Sequence, residues 1–246
     1  MNEGTEGQGY VETGVESLDS ILDGGVLRGS SVLVTGNPGT GKTVLAMQYL
    51  YHGVEECDEG GVYLSFEESA EDLAQAAESL GFTRWRDHVE SGDIVVYDKM
   101  DLLDERDFAS TLTSVLDEVS DGDYRRLVMD SLTMFEMFFE SEKERRRYLL
   151  KTVEILKERG FTSYLVHESA EVFPDRDIGL EEFLTDGNFY LGQAPTKSGS
   201  NRYIWVPKMR KQAIDTHIFP MEIGEGGVKV HENAAGFLQM DDRGDL

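Results

Sequence analysis

The sequence predicts an α/β protein with a mainly parallel central sheet flanked by helices, followed by a C-terminal antiparallel β extension. Short apolar segments typical of buried strands alternate with segments of helical spacing as far as about residue 182. From about Phe183 the helical spacing gives way to short strand-like segments, joined by turns that contain Gly and Pro. No linker-like stretch divides the 246 residues. We therefore expect one domain over residues 11–235, a flexible N-terminus at 1–10 and an acidic, disordered tail at 236–246.

The individual elements follow from the spacing of apolar residues and from the residues that interrupt it. A short helix with Leu18 facing inward comes first, and a strand at Val32–Val34 follows. Another helix begins past Lys42, and Gly53 is expected to end it. Ser69 is a good N-cap for the next helix. The remaining predicted elements are strands at 62–66, 94–97, 127–129 and 164–167, helices at 69–81, 108–119 and 142–159, and extension strands at 189–191, 203–206, 217–219 and 228–230.

Residues 36–43 match the phosphate-binding pattern G-x-x-x-x-G-K-[ST], directly after the strand at Val32–Val34. Glycines allow backbone N–H groups to point inward around a polyphosphate, and the N-terminus of the following helix adds a favourable dipole. We expect the Lys42 ammonium to reach the β- and γ-phosphates and the Thr43 hydroxyl to bind Mg²⁺. The predicted nucleotide-binding residues of this loop are Gly36, Asn37, Pro38, Gly39, Thr40, Gly41, Lys42, Thr43 and Val44.

Four further polar residues follow the ends of predicted strands, where parallel sheets bind their ligands. Asp130 comes after three apolar residues and is a candidate ligand of Mg²⁺, directly or through water. Glu67 and Glu68 are candidate catalytic residues that polarise the attacking water. The alternative for Glu68 is that it only stabilises the N-terminus of the next helix. His167 is either a nucleotide-binding residue that senses the γ-phosphate or a hydrogen-bonded core residue. Together with Lys42, these residues predict a site for phosphoryl transfer.

The chain is strongly acidic, with 23 Lys and Arg against 48 Asp and Glu and a formal net charge of -25. This balance disfavours an electrostatic grip on nucleic acid or on an anionic membrane surface. Because the carboxylates are scattered from Glu3 to Asp245, we favour a salt-adapted surface, as in a halophilic archaeon, over an acidic surface for one partner. No apolar run approaches the roughly 18 residues of a membrane span, and Cys57 is the single cysteine. We therefore expect a cytoplasmic protein without a membrane segment.

Several motifs together resemble the KaiC-like branch of the RecA-type P-loop ATPases, the RadA/KaiC branch of the superfamily. They are Thr13-Gly14, Leu18-Asp19, Gly24-Gly25, the 36–43 loop, Phe66-Glu67-Glu68-Ser69, Asp130-Ser131, Phe183–Gly187 and Lys208-Met209-Arg210. The resemblance covers roughly residues 11–235 and implies a single RecA-like domain that binds ATP and Mg²⁺. It further implies a homo-oligomeric ring, expected to be a hexamer, with ATP between subunits. In that ring Glu67 and Glu68 are the catalytic pair, and Lys208 and Arg210 reach the γ-phosphate of the neighbouring subunit's ATP.

The resemblance has two departures from the usual pattern. Relatives usually carry a small hydroxyl residue at the end of the fifth strand, where this chain has His167-Glu168. We call Lys208 and Arg210 the finger residues. The continuation Arg210-Lys211-Gln212 lacks the glycine that relatives often have after these residues. Both departures concern assembly and turnover more than nucleotide binding.

The leading interpretation is a Mg²⁺-dependent KaiC-like ATPase that acts in regulation or signalling, with a further protein as its signalling partner. A second interpretation is a RecA/RadA-paralogue-like ATPase of DNA recombination or repair, in which Phe135, Phe138 and Phe139 would stack on bases. The alternative for these three residues is a place in the core or in a subunit contact. The loops at 131–140 and 169–182 contain one basic residue, Arg176, which disfavours nucleic acid as a partner. A third is an ATP-binding interaction module that does not hydrolyse ATP. A fourth is a kinase, for which the sequence specifies no acceptor.

Overall fold

Parallel strands form the larger part of a nine-stranded sheet in the part of the chain that the structure describes. The structure is a computed structural model and describes residues 9–98, 108–120, 122–137, 139–169, 180–196 and 199–232. The strands are β1 Tyr10–Val11, β2 Val26–Leu27, β3 Ser31–Gly36, β4 Gly60–Ser65, β5 Ile94–Tyr97, β6 Tyr124–Asp130, β7 Thr162–Glu168, β8 Gly187–Thr196, β9 Gly199–Met209, β10 Ile218–Gly224 and β11 Gly227–Val230. The helices are α1 Glu16–Ile21, α2 Lys42–Cys57, α3 Ala70–Ser79, α4 Trp85–Ser91, α5 Phe108–Ser120, α6 Leu132–Glu136, α7 Glu142–Glu158 and α8 Leu180–Leu184.

The sheet has the order β11-β10-β9-β8-β3-β7-β6-β4-β5, and β1 pairs with β2 in a separate ribbon. The strands from β8 to β5 in this order are parallel, whereas β8, β9, β10 and β11 pair with one another in antiparallel fashion. The predicted parallel sheet with an antiparallel C-terminal extension is thus confirmed. One detail differs: β8, predicted as part of the extension, also pairs in parallel with β3 and completes the parallel part.

Two apolar clusters pack on opposite faces of the sheet. Along β3, Val32 and Val34 belong to the cluster that contains residues of α1, α2 and α3, while Leu33 belongs to the cluster that contains residues of α5 and α7. Successive side chains of a strand point to opposite faces, so a strand covered on both faces is apolar at every position. The predicted helices on both faces are confirmed.

Helix α2 continues past Gly53 to Cys57, so the prediction that Gly53 ends it is wrong. A Cβ atom at Gly53 would lie 2.5 Å from both Cδ and Nε of Arg126, whose side chain is fully buried. The helix ends instead before Asp58, which adopts a left-handed backbone conformation with φ of 54°. Gly53 therefore makes room for the buried Arg126 side chain and does not end the helix.

The Arg126 guanidinium joins three segments of the chain. Its Nε donates to Glu59 Oε2 at 2.8 Å, and its Nη1 donates to the carbonyl oxygens of Glu12 at 2.8 Å and Tyr49 at 2.9 Å. Its Cζ also lies 4.7 Å from the centre of the Tyr49 ring, within the range of a cation–π contact. These contacts fix α2 and the N-terminal segment against β6.

The β10–β11 hairpin lies against α2 rather than extending away from it. Gln48 of α2 donates from Nε2 to the carbonyl oxygens of Gly14 at 2.6 Å and Val228 at 3.3 Å. Its Oε1 accepts a hydrogen bond from the Val228 N–H at 2.7 Å. This docking brings Ile223 of β10 to the start of α2, where the phosphate-binding pattern ends.

Several expectations for the chain ends and loops fall on residues that the structure does not describe. The tail at 236–246 and the positions Phe138 and Arg176 lie outside the described residues. Tyr10, expected to belong to the flexible N-terminus, instead pairs with Leu27 in the β1–β2 ribbon. Of the helices in the described ranges, none has both the length and the apolar content needed to cross a membrane.

We expect Gly53→Ala to destabilise the protein, although alanine ordinarily stabilises a helix interior by about 0.5–1 kcal/mol relative to glycine. The added methyl group would overlap the buried Arg126 side chain, and overpacking of this kind costs about 1–3 kcal/mol. Urea denaturation followed by circular dichroism measures the free energy of unfolding. Glu56→Ala, at an exposed position of the same helix, is the control and should change that free energy by less than about 0.5 kcal/mol. A more stable Gly53→Ala protein would contradict the steric role of Gly53.

Candidate functional site

A cavity of about 310 Å³ opens at the carboxyl ends of the parallel strands. Most residues predicted for the site line it, namely Pro38, Gly39, Gly41, Lys42, Thr43, Val44, Glu67, Glu68 and Asp130. Ser131, Glu168 and Ile223 line it as well, although the sequence alone predicts no role in the site for them. The fold thus brings the phosphate loop, the glutamate pair and the predicted Mg²⁺ ligands to one concave surface, which is typical of a ligand site.

The phosphate loop passes close to β8 and β10 at two of its glycines. A Cβ atom at Gly36 would lie 2.0 Å from the carbonyl oxygen of Leu191. At Gly41, whose φ is 103°, a Cβ atom would lie 2.4 Å from Cδ1 of Ile223. The two strands therefore hold the loop in place, and the glycine pattern reflects this tertiary contact as well as the approach of a phosphate.

Hydrogen bonds shape the outer part of the loop. The Asn37 carbonyl oxygen accepts from the Thr40 hydroxyl at 2.8 Å. The Gly39 carbonyl oxygen accepts from Gln193 Nε2 at 2.9 Å and from Arg202 Nε at 3.4 Å. Gln193 and Arg202 face each other across β8 and β9, a pairing that the sequence alone does not reveal. Of the predicted loop residues, Gly36, Asn37 and Thr40 support the loop without lining the cavity.

Lys42 is the cation at the base of the cavity. Its Nζ donates to the Asn37 carbonyl oxygen at 3.0 Å and lies 3.8 Å from Oε1 of Glu168. Burial lowers the pKa of Lys42, and the negative charges of Glu168, Asp130 and Glu67 oppose this shift. The ammonium is therefore held within the loop by a neutral carbonyl and a carboxylate, both of which phosphate oxygens can replace.

Asp130 is a buried carboxylate that accepts two hydroxyl hydrogen bonds at one oxygen. Thr43 Oγ1 donates to Asp130 Oδ2 at 2.9 Å, and Tyr63 OH donates to the same oxygen at 2.7 Å. Burial raises the pKa of Asp130, while the hydrogen bonds from Tyr63 and Thr43 act in the opposite direction. A hydroxyl and a carboxylate side by side are hard oxygen donors of the kind that Mg²⁺ prefers.

Glu67 and Glu68 follow β4 at the mouth of the cavity. The Ser131 hydroxyl donates to Oε1 of Glu67 and so orients that carboxylate. The Glu68 backbone is fixed in both directions, because its N–H donates to Ser65 Oγ at 3.1 Å and its carbonyl accepts from the Ser65 hydroxyl at 2.7 Å. Both carboxylates line the cavity, so each is placed to act on a water molecule inside it.

His167 and Glu168 occupy successive positions at the end of β7, beside the loop. They pair in register with Thr35 and Gly36 of β3. Successive strand residues face opposite sides of the sheet, and it is Glu168 that lines the cavity. His167 is half-buried, and this burial lowers its pKa while the negative charge of Glu181 opposes the shift. Of these two residues Glu168 lines the cavity, and the nucleotide-binding role of His167 stays a prediction.

Lys208 and Arg210 lie away from the cavity of their own chain. Lys208 pairs with Asn188 of β8, which pairs in turn with Leu33 of β3, three residues before Gly36. This register places the two basic residues toward the amino ends of the parallel strands, opposite the phosphate loop. The cavity of one chain therefore contains the predicted catalytic residues Lys42, Glu67 and Glu68 but not the predicted finger residues.

The carbonyl groups around α8 hold Lys208 and Arg210. Lys208 Nζ donates to the carbonyl oxygens of Glu182 at 2.5 Å and Thr185 at 2.6 Å. Arg210 Nη2 donates to the Phe183 carbonyl oxygen at 3.0 Å, and about half of the Arg210 side-chain surface, 51%, is exposed. Carbonyl groups at a helix C-terminus lack partners within the helix, so they readily accept from basic side chains. This helix is absent from the elements predicted from the sequence.

We expect Asp130→Asn to preserve or raise the stability of the ligand-free protein above about pH 5. The folded-state pKa of Asp130 is raised, so its contribution to the free energy of unfolding is present at low pH and is lost as the pH rises from the ordinary pKa of an aspartate through the raised folded-state pKa. The Asn side-chain oxygen can still accept from both Thr43 and Tyr63. Thermal unfolding between about pH 4 and pH 8 measures the effect. Asp130→Ala, which leaves both hydroxyls without this acceptor, should lower the free energy of unfolding by about 1–3 kcal/mol. An equally large decrease with Asp130→Asn would argue against a cost of burying the ionised Asp130 carboxylate.

The chain is similar in sequence to members of one protein family. A family model described as ATPase: KaiC matches residues 11–235. The circadian clock oscillator protein KaiC of Prochlorococcus marinus strain SARG is 30% identical over 238 residues, which are 94% of this chain and 47% of that protein. The protein of the same name from Synechococcus elongatus is 28% identical over 227 residues, 89% of this chain and 44% of that protein. The chain thus spans about half the length of these relatives.

A solved structure supports the same assignment. A KaiC-like protein from the hyperthermophilic archaeon Pyrococcus horikoshii OT3 superimposes with a TM-score of 0.79 and 32% sequence identity. The superposition covers 90% of this chain and 98% of that one. The family match spans most of the chain, and the phosphate loop, the glutamate pair and the strand-end aspartate all meet in one cavity. The chain therefore belongs to the KaiC family of ATPases and has a RecA-like fold.

Proposed function

We propose that this chain is a Mg²⁺-dependent ATPase that hydrolyses ATP to ADP and phosphate and acts as a regulatory protein. The observation that carries the proposal is the meeting of Lys42, Thr43, Asp130 and the Glu67–Glu68 pair in one cavity. Phosphoryl transfer to water requires a phosphate cradle, a metal anchor, a group that orients water and positive charge near the γ-phosphate. Within one chain, the phosphate loop provides the cradle, Thr43 and Asp130 the metal anchor, and the glutamate pair the group that orients water. Lys42 provides part of the positive charge near the γ-phosphate.

Binding of ATP would rearrange the contacts of Lys42. Its ammonium would leave the Asn37 carbonyl and Glu168 for the β- and γ-phosphate oxygens, which are stronger acceptors. Thr43 and Asp130 would hold Mg²⁺, because their oxygen atoms already lie 2.9 Å apart. The ion would neutralise the charge that develops on the phosphates.

We choose ATP rather than GTP as the nucleotide because the chain belongs to a family of ATPases.

Hydrolysis needs a base for the attacking water, and the glutamate pair provides the candidates. The water oxygen forms a bond to the γ-phosphorus while the bond from that phosphorus to the bridging oxygen of ADP breaks. Glu67 or Glu68 accepts the water proton. The Ser131 hydroxyl bonded to Glu67 keeps that carboxylate directed at the cavity, so Ser131 acts as a positioning residue.

The proposal includes assembly into a homo-oligomeric ring, expected to be hexameric. Lys208 and Arg210 lie at the opposite edge of the sheet from the phosphate loop of their own chain, which favours action on the ATP of a neighbouring copy. They would supply the remaining positive charge at the γ-phosphate. A protein signalling partner is part of this proposal. Nucleic acid is not, because the net charge of -25 would repel phosphate.

Complementation between two inactive variants tests catalysis shared between chains. The double variant Glu67→Gln/Glu68→Gln lacks the bases, and Lys208→Ala/Arg210→Ala lacks the finger residues. We expect each to lose at least about 100-fold of the Mg²⁺-dependent hydrolysis rate. After mixing in equal amounts, about one quarter of the interfaces would join an intact site to intact finger residues. Hydrolysis should then return to about that fraction of the wild-type rate.

The hydrolysis assay should be run over a series of protein concentrations in molar KCl, with light scattering on the same samples. Specific activity that rises with assembly would agree with shared catalysis. Mixed variants that assemble but stay inactive would contradict the role of Lys208 and Arg210. Tight ATP binding without hydrolysis in every assembly state would favour a non-hydrolysing interaction module instead.

We expect Glu168→Gln to bind ATP about 3- to 10-fold more tightly than the wild type in the presence of Mg²⁺. The Glu168 carboxylate competes with phosphate for Lys42 and adds negative charge to a cavity that must accept a polyanion. Titration calorimetry measures the affinity. Glu158→Gln, at an exposed position of α7, removes the same charge far from the cavity and should leave the affinity unchanged. Weaker binding by Glu168→Gln would show that this carboxylate supports the nucleotide.

A further inference from the structure

Three side chains with different metal-binding atoms meet near the C-terminal end of α2, away from the phosphate loop. Glu12 offers a carboxylate oxygen, His52 a ring nitrogen and Cys57 a sulfur, and these three atoms lie within 4.8 Å of one another. His52 Nε2 lies 2.8 Å from Glu12 Oε2, and Cys57 Sγ lies 3.9 Å from the same oxygen. We call these residues the Glu12–His52–Cys57 cluster.

Contacts that do not involve a metal already hold the cluster together. The backbone of Glu12 is fixed because its carbonyl oxygen accepts from the buried Arg126 at 2.8 Å. A Cβ atom at Gly14 would lie 2.8 Å from Cβ of His52, so the absence of a side chain there lets the N-terminal segment approach the helix. His52 and Cys57 both lie on α2. Preorganised donors of this kind reduce the cost of binding an ion.

We propose that the Glu12–His52–Cys57 cluster binds a divalent transition-metal ion of the Zn²⁺ class. Metal–ligand distances of about 2.0–2.3 Å place the donor atoms of a tetrahedral zinc site about 3.2–3.8 Å apart. The two distances from Glu12 Oε2 are 2.8 Å and 3.9 Å, and the His52 nitrogen lies within 4.8 Å of the Cys57 sulfur, so movements of about 1 Å or less bring all three atoms to that range. Thiolate and imidazole ligands favour Zn²⁺ over Mg²⁺. The Cys57 thiolate and the Glu12 carboxylate would balance the two positive charges of the ion.

Open space lies beside Glu12 and His52 of the cluster, where a further ligand of the ion could enter. A cavity of about 510 Å³ adjoins the cluster, with Glu12, Asp19 and His52 among its lining residues. Three protein ligands beside an open position are typical of zinc sites that bind water or an exchangeable ligand. From Thr43 to His52 the helix advances about 13 Å at roughly 1.5 Å per residue, so this site is separate from the proposed Mg²⁺ site. The bound ion would tie the N-terminal segment to the helix that carries Lys42 and Thr43.

A cobalt titration tests the proposal, because Co²⁺ replaces Zn²⁺ and a bound thiolate adds a charge-transfer band in the near ultraviolet. Cys57 is the single cysteine of the sequence, so such a band can come from no other residue. We expect the band to saturate at one ion per chain in excess Mg²⁺ without nucleotide, and Zn²⁺ to abolish it. Cys57→Ser should remove the band. Glu12→Gln and His52→Gln should each weaken Co²⁺ binding by at least about tenfold.

Two variants serve as controls for this titration. His231→Gln removes an exposed histidine whose Nε2 lies 2.9 Å from Glu222, and Thr43→Ala removes the predicted Mg²⁺ ligand. Both should keep the band and its affinity. Thermal unfolding gives a second measurement: Zn²⁺ should raise the melting temperature of the wild type but not of Cys57→Ser. Absence of the band at saturating Co²⁺, or an equal Zn²⁺-induced shift in Cys57→Ser, would overturn the proposal.

Discussion

One buried cation, Arg126, connects the segments on which the phosphate-binding loop depends. Its guanidinium binds the Glu59 side chain and the carbonyl groups of Glu12 and Tyr49, and the lack of a side chain at Gly53 makes room for it. Removing one partner of a buried ion pair costs about 3–5 kcal/mol, because the remaining charge stays in a medium of low polarity. Helix α2 is therefore fixed near its C-terminal end, while its first turn presents the groups that would contact a nucleotide.

The centre of the fold and much of the candidate site could be predicted because they depend on local patterns. Continuous apolar runs such as Val32–Val34 indicate strands covered on both faces, and the structure confirms them. The N-cap at Ser69 is confirmed as a capping box with Asp72. The glycine-rich loop is likewise a local motif, because its spacing reflects backbone geometry within a few residues.

The errors arise where a residue's role depends on distant parts of the chain. The local sequence around Gly53 wrongly predicts a helix end, because the contact of this glycine with Arg126 of β6 is not visible there. The sequence also does not reveal that Glu168 lines the cavity, because this depends on which side of β7 faces the loop and on the register of β7 against β3. Ile223 reaches the cavity because the β10–β11 hairpin docks on α2 through Gln48. Such contacts are tertiary and have no signature in the spacing of nearby residues.

Under the proposed shared catalysis, the placement of the phosphate loop and of Lys208 and Arg210 at opposite edges of one sheet limits how copies of this chain can associate. In a two-fold symmetric dimer the same surface of both chains forms the contact, so one interface cannot easily contain both edges of each chain. A contact that joins the loop edge of one chain to the Lys208–Arg210 edge of the next is heterologous. Such a contact repeats in one direction and yields either a closed ring or an open helical filament. The rotation between neighbours, rather than the chemistry of the site, would decide between these two forms.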